Sequence, residues 1–317
     1  MPVDEDDTAS VSAAFAWEMA DMLDHASRPS AVGTVPLIGW ILIGASVVTL
    51  VLTAALRGLI STTPDIHPAA VFDTIESAAA FALAAALVIG AGHWARGRPR
   101  LLTGAVAFAI AGILQLAYRF WLAAWETDPR VLTGLETAAL FARAFLEAGA
   151  MAAGFGLVAL GLWQSRPRRV TEGRDGMRAV VVIGVATVIA LAGAIAVGAR
   201  EISAGSGSAV GGTQLWLLAT VSLATAFLAI AASRYRPIGH HLPELAIGVG
   251  AFTIVVMTGV RQWALAITLG EGLSLQTSEI AFGVPMLLSA IGLVLLVIGF
   301  ASGRPRSSAP NRAGEVS

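Results

Sequence analysis

The chain has 317 residues, of which 56% are hydrophobic and only 13% charged, and its mean hydropathy is +0.77. About a quarter of the residues of a soluble domain are charged, so this composition predicts an integral membrane protein, and the net charge of −1 argues against a nucleic-acid partner. There is no cysteine, and all 20 basic residues are arginine, which excludes disulfides, thiolate metal sites and Schiff-base lysines.

Residues 1–33 form an acidic N-terminal segment. Within it, Val11, Phe15 and Met19 recur at helical spacing opposite acidic residues, which predicts a short amphipathic helix. Anionic lipid would repel its polar face, so docking onto the arginine-rich loops of the same protein is favoured over a disordered tail. The segment lacks a basic n-region, and the apolar run that follows is long enough to span a membrane, so we do not expect a signal peptide.

Eight apolar segments follow in order, each close to the roughly 20 residues that a bilayer requires. They run over about Thr34–Leu56, Val71–His93, Leu101–Trp121, Val131–Trp163, Met177–Val197, Gln214–Ser233, Leu245–Leu269 and Ser278–Ser302. The predicted fold class is therefore an all-α integral membrane protein with eight transmembrane helices. Pro285 is expected to kink the eighth helix.

The turns after the even-numbered spans are rich in arginine. They read RGRPR at 96–100, SRPRR at 165–169, SRYRP at 233–237 and SGRPR at 302–306. That side of the membrane holds 14 of the 20 arginines. Because arginine concentrates in cytoplasmic loops, we expect a multi-pass protein of the plasma membrane with both termini in the cytoplasm.

The basic turns also recur regularly along the chain, since Pro99, Pro167, Pro237 and Pro305 follow one another at almost equal intervals. A nearly constant offset pairs the following residues of the two halves: Arg119 with Arg261, Trp121 with Trp263, Glu136 with Glu279, Gly149 with Gly292 and Gly156 with Gly299. This pattern predicts a duplication of four helices, in which two even-numbered halves share one orientation.

The predicted duplication divides the chain into four parts. The N-terminal segment 1–33 precedes a first half at 34–169 and a second half at 170–303, and 304–317 form a cytoplasmic tail. The alternative is that membrane hairpins of a GC-rich genome end in Arg-Pro turns without any duplication.

The fourth span is unusual because it carries Glu136, Arg143 and Glu147 on one face. A charge at the centre of a membrane helix costs roughly 2.5–3.5 kcal/mol, so we expect the protein to compensate these charges. In the offset above, Arg143 and Glu147 have no charged counterparts in the second half, and they are the best candidates for the centre of a specialised site. Small residues of the same span, such as Gly154 and Gly161, are expected to serve close helix packing.

A structural interpretation accounts for many of the other charges. Arg119 and Arg261 would reach the outer membrane interface, with Trp121, Trp125 and Trp263 as aromatic anchors. Acidic residues near predicted helix starts would be stabilised by the helix dipole; these are Asp73, Glu76, Glu136 and Glu279.

A functional interpretation uses the same residues to bind a small polar or anionic solute from outside. The arginines would donate bidentate hydrogen bonds, and Glu147 would accept a proton. The candidate ligand-binding residues are Arg143, Glu147, Arg119, Arg261, Glu136, Glu279, Glu76 and Asp73. The corresponding function is solute binding, with transport as one form of it; the alternative is a non-transporting sensor or assembly subunit that acts through its cytoplasmic loops and N-terminal helix.

Enzymatic chemistry is less favoured. No histidine lies in the middle of a predicted span to ligate haem, and the sequence lacks an Asp-rich diphosphate motif, a repeated His box and a Gly-x-Ser-x-Gly elbow. His240 and His241 are adjacent and cannot easily face one metal ion, so their proximity to Glu244 is a weak signal. The sequence predicts no metal site and no cofactor, and its expected partners are the lipid bilayer and a small solute.

Overall fold

The computed structural model describes residues 34–60, 68–91, 97–127, 133–165, 174–203, 208–234, 242–271 and 275–302. All of these residues belong to helices or to their immediate ends. The eight helices are α1 (Thr34–Ile60), α2 (Pro68–Gly90), α3 (Arg98–Thr127), α4 (Gly134–Gln164), α5 (Arg174–Ser203), α6 (Ser208–Arg234), α7 (Leu242–Glu271) and α8 (Leu275–Ala301). The expected acidic N-terminal helix and the histidine pair lie outside the described residues.

Each helix corresponds to one of the eight apolar segments, and most extend a few residues beyond the predicted bounds. Six of them, α3 to α8, contain a stretch long and apolar enough to cross a membrane. In α1 and α2 the apolar stretches found among the described side chains are shorter, at Leu37–Leu52 and Ala78–Gly90. Helix α8 continues through Pro285 without interruption. The part of the chain that the structure describes is thus all-helical and of the multi-pass membrane type.

Six of the helices pack in a closed ring, in the order α2, α3, α4, α6, α7 and α8, with α8 against α2. Helix α1 lies against α2 and α3, and α5 lies against α6 and α7. The set of contacting pairs is unchanged when α1 to α4 are exchanged with α5 to α8 in order. In particular, the contact of α4 with α6 is exchanged with that of α8 with α2.

We call the end of the bundle that carries Gly97, Ser165 and Ser302 the inner end, and the opposite end the outer end. The main hydrophobic core lies in the inner half of the bundle, where side chains from seven helices form one buried cluster. Phe108 of α3, Leu162 of α4 and Phe300 of α8 are completely buried there. The described residues of this half therefore form an apolar core between the helices.

Glycines bring the helices of this core into close contact at two equivalent crossings. A methyl group on Gly104 of α3 would lie 3.3 Å from the carbonyl oxygen of Gly154, and one on Gly250 of α7 would lie 2.6 Å from that of Gly292. A Cβ on Gly250 would force the two backbones apart, whereas one on Gly104 would require the neighbouring helix to give by a few tenths of an ångström. The prediction that Gly154 and Gly161 serve close helix packing is confirmed, since a Cβ on Gly161 would meet the Leu101 side chain at 2.9 Å.

The two glycine crossings pair other residues than the constant sequence offset does. Gly154 makes in α4 the crossing contact that Gly292 makes in α8, and Gly104 in α3 the one that Gly250 makes in α7. By contrast, a Cβ on Gly149 would have no neighbour within 4 Å, although the constant sequence offset pairs it with the tightly packed Gly292. The offset differs between the two helix pairs because the chain from Gly104 to Gly154 is longer than the chain from Gly250 to Gly292, both within the helices and in the segment that connects them.

Candidate functional site

The outer half of the α3–α4 hairpin is packed much more loosely than its inner half. No described side chain is buried from Gly134 to Ala153 on α4, or from Ile113 to Trp125 on α3. On α7, burial continues outward to Ala266. The described side chains of the outer parts of α3 and α4 are therefore half-buried or exposed, and the hydrogen bond described between these parts joins polar side chains.

Helix α4 begins with a capping box that accounts for its first charge. The Thr133 hydroxyl lies 3.3 Å from the Glu136 backbone N–H and accepts its hydrogen bond, and the Thr133 backbone N–H donates to the Glu136 carboxylate at 2.9 Å. The prediction of Glu136 as a helix-start residue is confirmed. Because its carboxylate is committed to the cap, Glu136 does not join the other two charges of the helix.

One turn apart further along α4, Arg143 and Glu147 form an ion pair. The second oxygen of the Glu147 carboxylate, Oε1, accepts a hydrogen bond of 3.0 Å from Nε2 of Gln115 on α3. Arg143 and Glu147 thus compensate each other's charge, and Gln115 connects the ion pair to the neighbouring helix. The pair remains 24% and 21% exposed, so it lies at the boundary of the packed protein.

An aromatic pair covers the cationic side of this cluster. The Tyr118 ring lies over the Arg143 guanidinium, with 4.0 Å from Cζ to the ring centroid, and it stacks on Trp121 at 5.9 Å. Such a cation–π contact is worth about 0.5–2 kcal/mol, depending on desolvation. Arg119 approaches the same ring at 5.9 Å and is half-buried. We call Gln115, Tyr118, Arg143 and Glu147 the polar cluster.

Two atoms of the polar cluster lack a hydrogen-bond partner among the described residues. Both Nε of Arg143, a donor, and Oε1 of Gln115, an acceptor, are buried and unsatisfied. The orientation of the Gln115 amide is determined by its neighbour, because a carboxylate can only accept and the NH₂ group must face it. A buried polar group without a partner costs about 1–3 kcal/mol, and a further group that accepts from Arg143 Nε and donates to Gln115 Oε1 would remove this cost.

Gln115 and Glu147 lie at the same level, because Gln115 is as far along α3 from Gly97 as Glu147 is along α4 from Ser165. At a rise of about 1.5 Å per residue this distance is about 27 Å, close to the roughly 30 Å thickness of a hydrocarbon core. Helix α4 extends about 20 Å farther, to Gly134. The polar cluster therefore lies near the outer boundary of the apolar part of the hairpin.

The remaining arginine of the predicted pair lies elsewhere. Arg261 is exposed on α7, a helix that packs on α5, α6 and α8. Its neighbour Trp263, expected to be an interface anchor, instead donates from Nε1 to the carbonyl oxygen of Ile189 on α5 at 3.0 Å. The structure thus brings Arg119 to the polar cluster and places Arg261 on the surface of a helix from the other half.

Three acidic candidates have described backbone positions, but their side chains lie outside the described part of the chain. Asp73 and Glu76 are in α2, and Glu279 is in α8. None of the three is in the first helical turn, because α2 begins at Pro68 and α8 at Leu275. The helix dipole, which acts mainly within one turn, therefore does not explain them as it was expected to.

A second polar contact lies between α6 and α7. Nε2 of Gln262 donates to the Ser222 hydroxyl at 2.8 Å and to the Leu218 carbonyl oxygen at 3.3 Å. Gln262 is 1% exposed, and Oε1 has no partner among the described residues. No described charged residue contacts it, so this contact is best explained as an interhelical hydrogen bond within the bundle.

The sequence prediction missed Gln115 and Tyr118. The available signal was their rarity in apolar helices: the chain has only two tyrosines, and Gln115 lies one turn before Tyr118 on the same face.

Within the described residues, no group of three or more histidine or acidic side chains is arranged to hold a metal ion. Comparison of the chain with protein-family models, with curated proteins and with solved structures yields no match. The polar cluster is therefore the feature on which a functional assignment of this chain rests.

Proposed function

We propose that this protein crosses the plasma membrane eight times, with both termini in the cytoplasm and the inner end of the bundle on the cytoplasmic side. Helices α1 and α2 contain 27 and 23 residues, enough to cross a hydrocarbon core. The excess of arginine in the turns at the inner end supports this orientation. The exposed apolar side chains along α1, such as Trp40 and Val51, suit contact with lipid.

The same proposal includes two parallel four-helix halves, 34–169 and 170–303. Its support is the recurrence of the helix pairs and of the two glycine crossings. In the register of those crossings, the positions corresponding to Arg143 and Glu147 are Ala281 and Pro285. The polar cluster is then a specialisation of the first half alone.

The function that the geometry supports best is the binding of a small polar solute at the polar cluster, from the outer side of the membrane. The observation that carries this proposal is the pair of unsatisfied atoms, Arg143 Nε and Gln115 Oε1, next to a loosely packed hairpin. Because Arg143 is neutralised by Glu147, the pair favours a polar group over a strongly anionic one.

A second candidate function is non-transporting sensing, and the packed inner half favours it. Leu101, Phe155 and Val158 are buried where a solute would have to pass, and no polar side chain of α4 follows Glu147 until Trp163. Transport through this structure would require the two halves of the bundle to rearrange. Sensing would require only that ligand binding change the contact between α3 and α4.

Solute binding is tested on the full-length protein purified in lipid nanodiscs. The small molecules bound to it are extracted with solvent and identified by mass spectrometry. Wild type should release a compound that the Arg143→Met/Glu147→Leu double variant lacks. Identical extracts from two folded proteins would contradict the proposed site.

The absence of native cysteine permits a clean test of orientation in intact cells. Thr137→Cys, near the start of α4, should react with a membrane-impermeant maleimide, and Ser302→Cys, at the end of α8, should not. The opposite pattern would contradict the proposed topology.

A further inference from the structure

We propose that the ligand of the polar cluster is a neutral, amphipathic alcohol that reaches the cluster from the bilayer. This inference rests on the proposed function in that it uses the same binding site, and it takes the bound polar group to be the hydroxyl of a lipid-like molecule rather than of a water-soluble solute. It follows from three observations: the complementary unsatisfied atoms, the balanced charge of the pair, and the apolar surroundings.

The hydrogen-bonding capacity of the cluster selects a hydroxyl group. Arg143 Nε–H requires an acceptor and Gln115 Oε1 requires a donor, and both residues are held by the two oxygens of one carboxylate. A hydroxyl group supplies one donor and two acceptor lone pairs. A carboxylate or phosphate diester can accept from Arg143, but it leaves Gln115 unsatisfied and brings a further negative charge beside Glu147.

The balanced charge of the Arg143–Glu147 pair also favours a neutral ligand. Arg143 already donates to Glu147, so its positive charge is compensated before any ligand arrives. An added anion would compete with Glu147 for the guanidinium, and removal of one partner from a buried ion pair is unfavourable. A neutral ligand keeps that pair intact.

The surroundings of the cluster are apolar and open to the side. Leu146, immediately before Glu147, is 61% exposed, and Phe141 and Phe120 are also exposed on α4 and α3. The two helices that carry the polar cluster therefore also carry exposed apolar side chains at its level, and these suit contact with the alkyl chains of lipid. An alcohol with an alkyl tail would place its hydroxyl group at the polar cluster and its tail against the apolar side chains and the lipid.

Within this inference, we assign Tyr118 as the side chain that moves when the ligand binds. Its ring lies over the guanidinium, and both unsatisfied atoms are buried, so some side chain of the cluster must move before a hydroxyl can reach Arg143 Nε. Rotation about χ1 of a half-buried side chain requires no backbone movement.

The inference is tested with a diazirine-bearing octadecanol added to the full-length protein in phosphatidylcholine nanodiscs. After illumination, cross-linked peptides are mapped by mass spectrometry in the presence of excess octadecanol, octadecyl methyl ether or stearate. We expect cross-links on α3 and α4 near the cluster, with octadecanol competing at least tenfold better than the ether, which cannot donate, or stearate, which is anionic.

Two variants locate the site. Gln115→Leu should reduce the competed cross-linking at least tenfold, while Gln262→Leu, which removes the other glutamine with an unsatisfied Oε1, should leave it unchanged. Gln115→Asn should reduce the competed cross-linking in the same way as Gln115→Leu. A circular dichroism spectrum equal to that of wild type shows that this variant is folded.

Equal competition by stearate or by the ether would overturn the hydroxyl assignment while leaving the proposed binding function intact. Labelling that none of the three competitors reduces, and that Gln115→Leu does not change, would overturn the alcohol inference, whereas identical extracts from wild type and the Arg143→Met/Glu147→Leu variant would overturn the proposed function. Such unchanged labelling is also the outcome expected if a water molecule alone satisfies the two atoms.

Discussion

Replacement of Glu147 by leucine removes the only described carboxylate partner of Arg143 and the only described hydrogen-bond acceptor of the Gln115 amide group. Breaking one side of a fully buried ion pair costs about 3–5 kcal/mol, and an uncompensated charge in a membrane helix costs about 2.5–3.5 kcal/mol. Since the two side chains of this pair are 24% and 21% exposed, we expect the lower end of these ranges. The free energy of unfolding should fall by about 2–3 kcal/mol.

The double variant Arg143→Met/Glu147→Leu should be less destabilised than the sum of its single variants. It leaves no charge unpaired; the hydrogen bond from Gln115 is lost, at about 0.5–1.5 kcal/mol, and so is the cation–π contact with Tyr118, which the single variant Arg143→Met loses as well. The coupling free energy of the pair should therefore reach at least about 2 kcal/mol, within the range for residues in direct contact. The measurement is reversible unfolding in mixed micelles by added SDS, followed by far-ultraviolet circular dichroism.

The matched control is Arg98→Met, at the exposed first residue of α3. This variant makes the same chemical change away from the polar cluster, and it should alter the unfolding free energy by less than about 0.5 kcal/mol. Single variants whose effects simply add in the double variant would refute the electrostatic account of the pair, because independent residues show no coupling.

Three further substitutions test the packing, the aromatic cover and the helix cap in the same unfolding assay. Gly250→Ala should destabilise the protein by at least about 1–3 kcal/mol, because the new methyl group would lie 2.6 Å from a backbone oxygen of α8. Gly248→Ala, two residues earlier and with no neighbour within 4 Å, should be neutral or stabilising by up to about 1 kcal/mol. Tyr118→Leu should lose about 0.5–2 kcal/mol of cation–π stabilisation, and Tyr118→Phe should retain most of it. Thr133→Ala should cost about 1 kcal/mol and speed hydrogen exchange in the first turn of α4.

Each of these predictions has a contradicting result. Equal stability of the two glycine variants would refute the close crossing of α7 and α8. A Tyr118→Phe variant as unstable as Tyr118→Leu would assign the effect to the hydroxyl rather than to the ring. Unchanged exchange in the Thr133→Ala variant would show that the cap does not hold the helix start.

The helices of this fold could be predicted from sequence because each is specified locally by an apolar run of about 20 residues, the length that a bilayer requires. The helix starts were less predictable. Pro68 and Leu275 begin α2 and α8 several residues before the apolar runs, and this places Asp73, Glu76 and Glu279 beyond the first turn. Helix ends outside the hydrocarbon carry little hydrophobic signal, so their positions depend on caps and tertiary contacts.

The register between the halves could not be read from sequence because glycine is too common. With 34 glycines in the chain, an offset that aligns Gly149 with Gly292 finds coincidences, whereas packing identifies Gly154 as the equivalent residue. What distinguishes them is the close approach of a neighbouring helix, which is a property of the tertiary structure.

The candidate site was predictable only in part, because some of its contacts lie within one helix and others join two helices. The ion pair of Arg143 with Glu147 follows from their i, i+4 spacing, so it could be predicted from the sequence. The partners from α3 were not, since contact between Gln115 and Glu147 depends on how two helices cross. Arg119 and Arg261 looked equivalent along the chain, but Arg119 lies beside the polar cluster and Arg261 on the surface of α7.

The central claim is that the polar cluster holds a ligand in a bundle closed at its inner half. A cryo-electron microscopy map of the full-length protein in lipid nanodiscs tests it most directly. We predict non-protein density bonded to Arg143 Nε and Gln115 Oε1, the Tyr118 ring rotated away from the guanidinium, and an inner half filled by protein. A map in which Tyr118 still covers Arg143, with no density beside Gln115, would contradict the claim.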